Sequence, residues 1–222
     1  MCDDTTKQTV NISTPVMDKN DRFAASNREL LSGKKIFTLN LISSPGAGKT
    51  TLLESMARFF GSKMAVIEGD VQTDRDAERV RKAGCQAWQI ETGGSCHLDA
   101  EAVNHALGHM DLESDELALL CIENVGNLIC PSGYDLGENL KIGLISLPEG
   151  DDKILKYPSL FSRISVLLIN KMDLLPHIDF DVDRTIDECR SLNPEVLVFT
   201  VSAKTGEGIE EFCGFLENQF SG

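Results

Sequence analysis

Residues 36–57 constrain this chain most. A short apolar run, Ile36-Phe-Thr-Leu-Asn-Leu-Ile42, meets Ser43-Ser-Pro-Gly-Ala-Gly-Lys-Thr50 and then Thr51-Leu-Leu-Glu-Ser-Met-Ala57, whose apolar spacing is helical. A buried strand, a glycine-rich turn and a helix in that order form the setting of a phosphate-binding loop. Gly46 and Gly48 allow the backbone to turn with its N–H groups inward, making an anion cradle at a helix N-terminus. Lys49 brings a positive charge to the β- and γ-phosphates, and the Thr50 hydroxyl is placed to ligate Mg²⁺. The nucleotide-contacting stretch is therefore Pro45, Gly46, Ala47, Gly48, Lys49, Thr50 and Thr51. Ser43 stands where the usual pattern has its first glycine.

Chemistry-bearing residues recur at the ends of later apolar runs. Lys63–Asp70 reads as a second strand ending in Glu68 and Asp70, with Asp74 four residues on. Carboxylates at a strand end beside a phosphate loop suit work on Mg²⁺ or water, so Asp70 is the expected Mg²⁺ contact and Asp74 its runner-up. With Lys49 they form the catalytic candidates; Glu68 and Asp74 read equally well as solvated charges or helix caps. A charged surface helix over 73–83 ends at Gly84. Strand 86–90 then leads to Cys96-His97 and a helix over 99–108; His105 and His109, spaced i, i+4, read as surface histidines.

The fourth strand, 116–123, ends in Glu123, with Gly126 three residues later and Cys130-Pro131 beyond. An acidic strand end followed by such a glycine matches a Mg²⁺ and γ-phosphate sensor, with Glu123 in the place of the usual aspartate. Cys130 supplies the thiolate that Cys96 and His97 lack. The three make a soft S₂N set suited to Zn²⁺ or Ni²⁺, adjoining the sensor loop. Cys121, Cys189 and Cys213 read as packing residues.

Strand 141–147 precedes a polar loop, 148–158, placed to lie over a nucleotide, with Lys153 or Lys156 within reach of a phosphate or simply solvated. Strand 164–169 leads into Asn170-Lys-Met-Asp173. Asp173 can accept from N1–H and N2–H₂ of guanine, donors that adenine lacks, so the pocket selects GTP or GDP. Asn170 fixes the loop and Lys171 covers the base. Strand 195–201 ends at Ser202-Ala-Lys204, whose Ala203 N–H is expected to meet guanine O6, and a helix over 206–220 closes the fold. The expected class is α/β, a mostly parallel sheet with helices on both faces and ligands at the C-terminal strand ends. Residues 1–14, with Cys2, read as a flexible N-terminal arm. A helix over 16–31 with Phe23, Leu30 and Leu31 as its apolar face opens a single domain over 15–222.

Composition narrows the partners. A net charge of −14 argues against nucleic acid or an anionic membrane as the main partner. No apolar run is long enough to span a bilayer, and no signal-peptide pattern opens the chain. Seven cysteines, an odd number, fit a reducing compartment and a cytoplasmic protein.

The phosphate loop, Glu-Asn-Val-Gly126, Asn-Lys-Met-Asp173 and Ser-Ala-Lys204, in that order, resemble a guanine-nucleotide switch. With Cys96-His97 and Cys130-Pro131 added, the chain resembles the HypB family over about residues 30–220. That family comprises the GTPases that help insert nickel into nickel–iron hydrogenase. The resemblance implies a P-loop NTPase fold of the class related to nitrogenase iron protein and a GTP-promoted homodimer with the metal at its interface. It also implies two partners, a HypA-type metallochaperone and the hydrogenase large-subunit precursor. The arm lacks the Cys-x-x-Cys-Gly-Cys or histidine-rich nickel site of some members. Asn127 stands where a water-positioning glutamine is usual, so hydrolysis should be slow. Two alternatives remain: a urease accessory GTPase, disfavoured by Ser95-Cys96-His97 in place of Cys-Pro-His, and a regulatory GTPase whose cysteines are structural.

Overall fold

The computed structural model describes residues 13–70 and 75–220. Seven strands, β1 (Phe37–Ser43), β2 (Met64–Asp70), β3 (Gln86–Glu91), β4 (Leu119–Glu123), β5 (Leu140–Ser146), β6 (Val166–Asn170) and β7 (Leu197–Thr200), form one sheet. Their order is β3-β2-β4-β1-β5-β6-β7, and every neighbouring pair is parallel. Parallel neighbours require crossovers, and α2 (Lys49–Phe60), α3 (Arg75–Lys82), α4 (Ala100–Leu107), α5 (Lys153–Lys156), α6 (Pro158–Phe161) and α7 (Val182–Leu192) lie within them, while α1 (Ser13–Gly33) precedes β1, α8 (Ile209–Phe220) follows β7, and β4 joins β5 through a 3₁₀ turn.

Strand alternation sorts side chains to the two faces. Leu39 and Leu41 of β1 join Leu119 and Cys121 of β4 in a core with Leu52, Leu53 and Met56 of α2 and Phe212 of α8. On the other face Ile67, Leu120 and Ile122 pack with Val103 and Leu107 of α4 and Leu31 of α1. Ile145, Leu167 and Ile169 pack there with Phe161 and Cys189. The chain leaves β1 towards β2 on one side and returns from β4 to β5 on the other. A crevice therefore opens at the C-terminal ends of β1 and β4, the usual place for a ligand in an open parallel sheet.

Element boundaries depart from the sequence reading for local reasons. β4 begins at Leu119, since Glu116 is exposed in a turn with its N–H towards the Ser114 hydroxyl. β7 begins at Leu197 because Asn193 turns the chain, taking the Glu195 N–H on its side chain. α8 starts at Ile209: Gly206 and Gly208 have φ of +88° and +71°, and a Cβ on Gly208 would lie 2.3 Å from the Thr200 carbonyl oxygen. α1 begins at Ser13, and its buried stripe is Asn20, Ala24, Asn27 and Leu31, while Leu30 faces out. The two asparagines are inside because they are bonded there. Asn27 donates to the carbonyls of Ala100 at 2.9 Å and Leu136 at 3.0 Å and accepts from Asn104 at 2.8 Å. Cys2 and the rest of the expected arm up to residue 12 lie outside the described residues.

Candidate nucleotide and metal sites

A cleft of about 450 Å³ occupies the crevice, lined by Pro45, Gly46, Gly48, Lys49, Thr50 and Thr51 on one wall and by Glu123, Asn124, Val125 and Gly126 on the other. Glycine is required at two of these positions. Gly46 and Gly48 sit at φ of +79° and +102°, the left-handed region, and Gly48 directly precedes the first residue of α2. Gly126 lies against Pro45, where a Cβ would come within 3.0 Å of its ring. The sensor loop and the phosphate loop thus meet across the cleft.

Lys49 is nearly buried, its Nζ 2.9 Å from the Ser43 hydroxyl and 4.0 Å from a Glu123 carboxylate oxygen. Ser43 accepts from Lys49 and donates to the Ser44 carbonyl at 2.8 Å. The residue that breaks the usual loop pattern is therefore a lysine contact, which its sequence position alone did not reveal. Glu68 also lines the cleft, buried on β2 directly beside Glu123 of β4 in the parallel register. The sequence reading named Asp70 as the expected Mg²⁺ contact and left Glu68 open as a solvated charge or cap. Asp70 is described only as the last residue of β2, opposite Glu91, and Asp74 lies outside the described residues. Arg79 of α3 reaches the cleft as well, bonded to Glu54 at 2.8 Å and to the Thr51 hydroxyl at 3.4 Å. Its signal in the sequence was hidden among the charges of a surface helix.

The residues expected to read the base are assembled behind the phosphate loop. The Asn170 side chain donates to the Ala47 carbonyl at 2.9 Å, and Lys171, at φ +65°, donates to the Gly46 carbonyl at 2.7 Å. Asp173 accepts from the Ser202 hydroxyl at 2.7 Å. One expectation changes: the Ala203 N–H donates to Asn170 Oδ1 at 3.0 Å, so here it locks the two loops together rather than standing open for guanine O6. Lys204 is exposed beside it. The polar segment 148–158 does not border the phosphate cleft. It folds into a short turn capped by Ser146 and Glu149, then α5 and α6, and none of its residues lines the cleft. Lys156 pairs with Asp152, and Lys153 stands 5.7 Å over the Tyr157 ring.

Cys96, His97 and Cys130 converge as expected, their ligand atoms all within 4.8 Å of one another. Among the described residues this is the one cluster of such groups suited to a metal. Cys96 and His97 end the loop between β3 and α4, and Cys130 opens a single 3₁₀ turn with Pro131 in its first turn. His97 packs on Tyr134 with ring centroids 4.0 Å apart. The adjoining Cys130 thiol pushes the Cys96 thiol above its ordinary range, while burial holds His97 below the usual imidazole range, as a neutral ligand. Two sulfurs and one nitrogen are soft donors suited to Ni²⁺ or Zn²⁺. His105 and His109 are exposed, the latter stacked on Trp88 at 5.1 Å, and Cys121, Cys189 and Cys213 are buried in the cores.

Comparison with known proteins agrees with this geometry. The family model "CobW/HypB/UreG, nucleotide-binding domain" matches residues 37–200. The hydrogenase maturation factor HypB of Azotobacter vinelandii is 50% identical over 95% of this chain and 69% of its own length. The crystal structure of Helicobacter pylori HypB in complex with nickel superposes with a TM-score of 0.87 at 43% identity, covering 91% of this chain and 95% of that one. The HypB structure from Archaeoglobus fulgidus gives 0.83 at 38% identity, covering 91% and 99%. The chain belongs to the CobW/HypB/UreG family, and within it to the HypB group. Among the described residues no helix is long and apolar enough to cross a membrane.

Proposed function

We propose that this chain, as a member of the HypB group, hydrolyses GTP and handles nickel for the maturation of nickel–iron hydrogenase, with nucleotide state coupled to the Cys96, His97 and Cys130 site. The observation that carries the reading is continuity. Six residues of one loop, 124–129, separate Glu123, beside Lys49 in the phosphate cleft, from Cys130 in the metal cluster.

In this reading Lys49 and the amides of residues 46–51 hold the phosphates, and catalysis is positioning and charge neutralisation. Thr50, Asp70 and Glu123 are the proposed Mg²⁺ ligands, and Glu68 joins them because it lines the same cleft. These hard oxygen donors fit Mg²⁺, which when bound neutralises phosphate charge. Asp173 and Asn170 select guanine, with Lys171, Ser202, Ala203 and Lys204 around the base, and Gly126 senses the γ-phosphate. Hydrolysis is slow: the Asn127 side chain, in the place of a water-positioning glutamine, already accepts the Ile129 N–H at 2.8 Å. Asp74 is retained from the sequence as the further candidate acid.

Nickel is the cargo, and Zn²⁺ fits the same donors. Three ligands fall one short of a four-coordinate ion, so water or a second copy supplies the next; the likeness to the HypB group is what suggests a GTP-promoted homodimer. A HypA-type metallochaperone and the hydrogenase large-subunit precursor are the proposed partners, in the cytoplasm, in one GTPase domain over 15–222. Nickel titration with GDP and with a non-hydrolysable GTP analogue, on wild type, Cys96→Ala and Cys130→Ala, tests the reading. Affinity that changes with nucleotide and is lost in both variants supports it; binding alike in every case defeats the metal assignment.

A further inference from the structure

Asn124 follows Glu123 at the end of β4 and is fully buried. Its own N–H is tied to the Leu41 carbonyl of β1 at 3.0 Å. The side-chain oxygen accepts from two backbone N–H groups, those of Val125 and Leu98, each at 3.0 Å. Val125 belongs to the sensor loop; Leu98 directly follows His97. The side-chain nitrogen donates to Asn40 at 3.2 Å, and Asn40 in turn donates to Glu138 at 3.2 Å, so the amide is held from behind. Leu98 is seated on a second wall of the same cleft. Gly69 lines that cleft, and a Cβ there would lie 2.8 Å from Leu98 Cγ.

A residue next to a metal ligand is thus clamped between two walls of the phosphate cleft, by a hydrogen bond on one side and by van der Waals contact on the other. We propose that Asn124 is the positioning residue through which nucleotide state reaches the metal loop. The inference rests on the coupled GTPase reading above and deepens it by naming the link. Val125 and Leu98 share one acceptor oxygen, so a displacement of the sensor loop at residues 125–126 re-aims that oxygen. Leu98 follows it, and the backbone carries His97 and Cys96 with it. A buried amide donor stays with its acceptor, because the site offers no water to replace the bond. The closeness of Gly69 to Leu98 limits the direction of the movement, since Leu98 can leave β2 but cannot approach it.

The test uses the full chain with nickel, GDP and a non-hydrolysable GTP analogue. For each protein the quantity read is the ratio of nickel affinities in the two nucleotide states. Wild type should give a ratio away from one, Asn124→Ala a ratio near one, and Asn124→Asp, which keeps the acceptor oxygen, a ratio restored towards wild type. Amide hydrogen exchange at residues 93–98 of metal-free wild type gives a second readout that depends on no variant folding. Leu98 protection should differ between GDP and the analogue. A wild-type ratio away from one that Asn124→Ala retains overturns this inference and leaves the coupled reading standing, as does Leu98 exchange indifferent to nucleotide. A wild-type ratio of one overturns the coupled reading and this inference with it.

Discussion

The Asn170 side-chain nitrogen donates to the Ala47 carbonyl at 2.9 Å and lies 2.6 Å from where a Cβ on Gly48 would stand. The loop expected to read the base therefore braces the loop expected to hold the phosphates, and glycine at 48 is a packing requirement as well as a conformational one. Asn170→Ala removes the partner of Ala47 and of the Ala203 N–H, both buried. A buried polar group left unpaired costs about 1–3 kcal/mol. The expected fall in melting temperature is roughly 2–12 °C for one such group, at about 2–4 °C per kcal/mol in a chain of this size. GDP affinity should fall with it. A calorimetric scan and a GDP titration check both, and unchanged melting would mean that the brace is not structural.

Asp173 is held by the Ser202 hydroxyl at 2.7 Å, so its carboxylate is oriented before any base arrives. Guanine offers two N–H donors to a carboxylate, whereas an amide presents one acceptor and one donor. Asp173→Asn should weaken GDP by about 10²-fold or more and favour xanthosine diphosphate, whose 2-oxo group accepts from the new amide. Competition between the two nucleotides measures the switch. Retained preference for GDP would remove Asp173 from the base site.

Ser43 and Lys49 allow a sharper comparison. Lys49→Ala deletes the phosphate-facing charge and should lower GTP turnover by about 10²–10³-fold. Ser43→Gly restores the commoner residue and deletes only the hydroxyl that holds Lys49 at 2.9 Å. Its effect should stay within about tenfold, because Glu123 at 4.0 Å still holds the ammonium. Turnover of both variants under saturating GTP decides it, and a Ser43 effect as large as that of Lys49 would make the hydroxyl a direct participant.

The strand ends and the order of motifs were legible in the sequence because each motif needs an apolar strand before it and a turn after it, and residues 36–50 and 164–173 spell out both. Which neighbouring carboxylate enters the cleft was not legible. Glu68 and Asp70 are two residues apart in the sequence, and it is the register of Glu68 against Glu123 of β4 that sets Glu68 in the cleft wall. Asn124 was passed over because its bonds to Leu98 and Asn40 span 26 and 84 residues of sequence and leave no local pattern. The inward face of α1 was misread for a related reason: Asn20 and Asn27 are inside through tertiary hydrogen bonds that hydropathy does not register.

Arg28 and Asp135 fasten α1 to the segment after the metal turn, the guanidinium donating to both carboxylate oxygens at 2.7 and 2.8 Å. Partial burial is the largest single influence and works against the charge on Asp135, but the Arg28 hydrogen bonds and charge, the Gly137 N–H and Glu138 together outweigh it and hold the carboxyl below its ordinary range. A depressed carboxylate contributes stability above its unfolded value, near pH 4, and loses that contribution as pH falls through the folded value. Arg28→Met should therefore lower the unfolding free energy from a urea titration at pH 7 modestly, by about 1 kcal/mol or less for a half-exposed pair. The difference from wild type should shrink below about pH 4. A gap that is constant with pH would assign the loss to packing of the arginine stem.

The cysteines should separate cleanly into two kinds. Cys121, Cys189 and Cys213 are at most 1% exposed in apolar cores, and burial pushes the Cys213 thiol up to about 12 and Cys189 to about 11. Such thiols are poor metal ligands, because binding needs the thiolate and their surroundings oppose it. Serine at any of them places a hydroxyl among aliphatic neighbours at a cost of about 1–3 kcal/mol. Melting should fall by roughly 2–12 °C while nickel stoichiometry is unchanged. Cys96 is exposed and Cys130 half-buried at the edge of the sensor loop, so serine at either has little packing to lose. These two variants should melt within about 2 °C of wild type, since substitutions away from packed cores usually shift stability little, and they should lose nickel. Differential scanning fluorimetry and a nickel titration on all five variants give the full pattern. Nickel retained in Cys130→Ser, or lost in a folded Cys121→Ser, would place the metal elsewhere and break the proposed link between the nucleotide cleft and the metal loop.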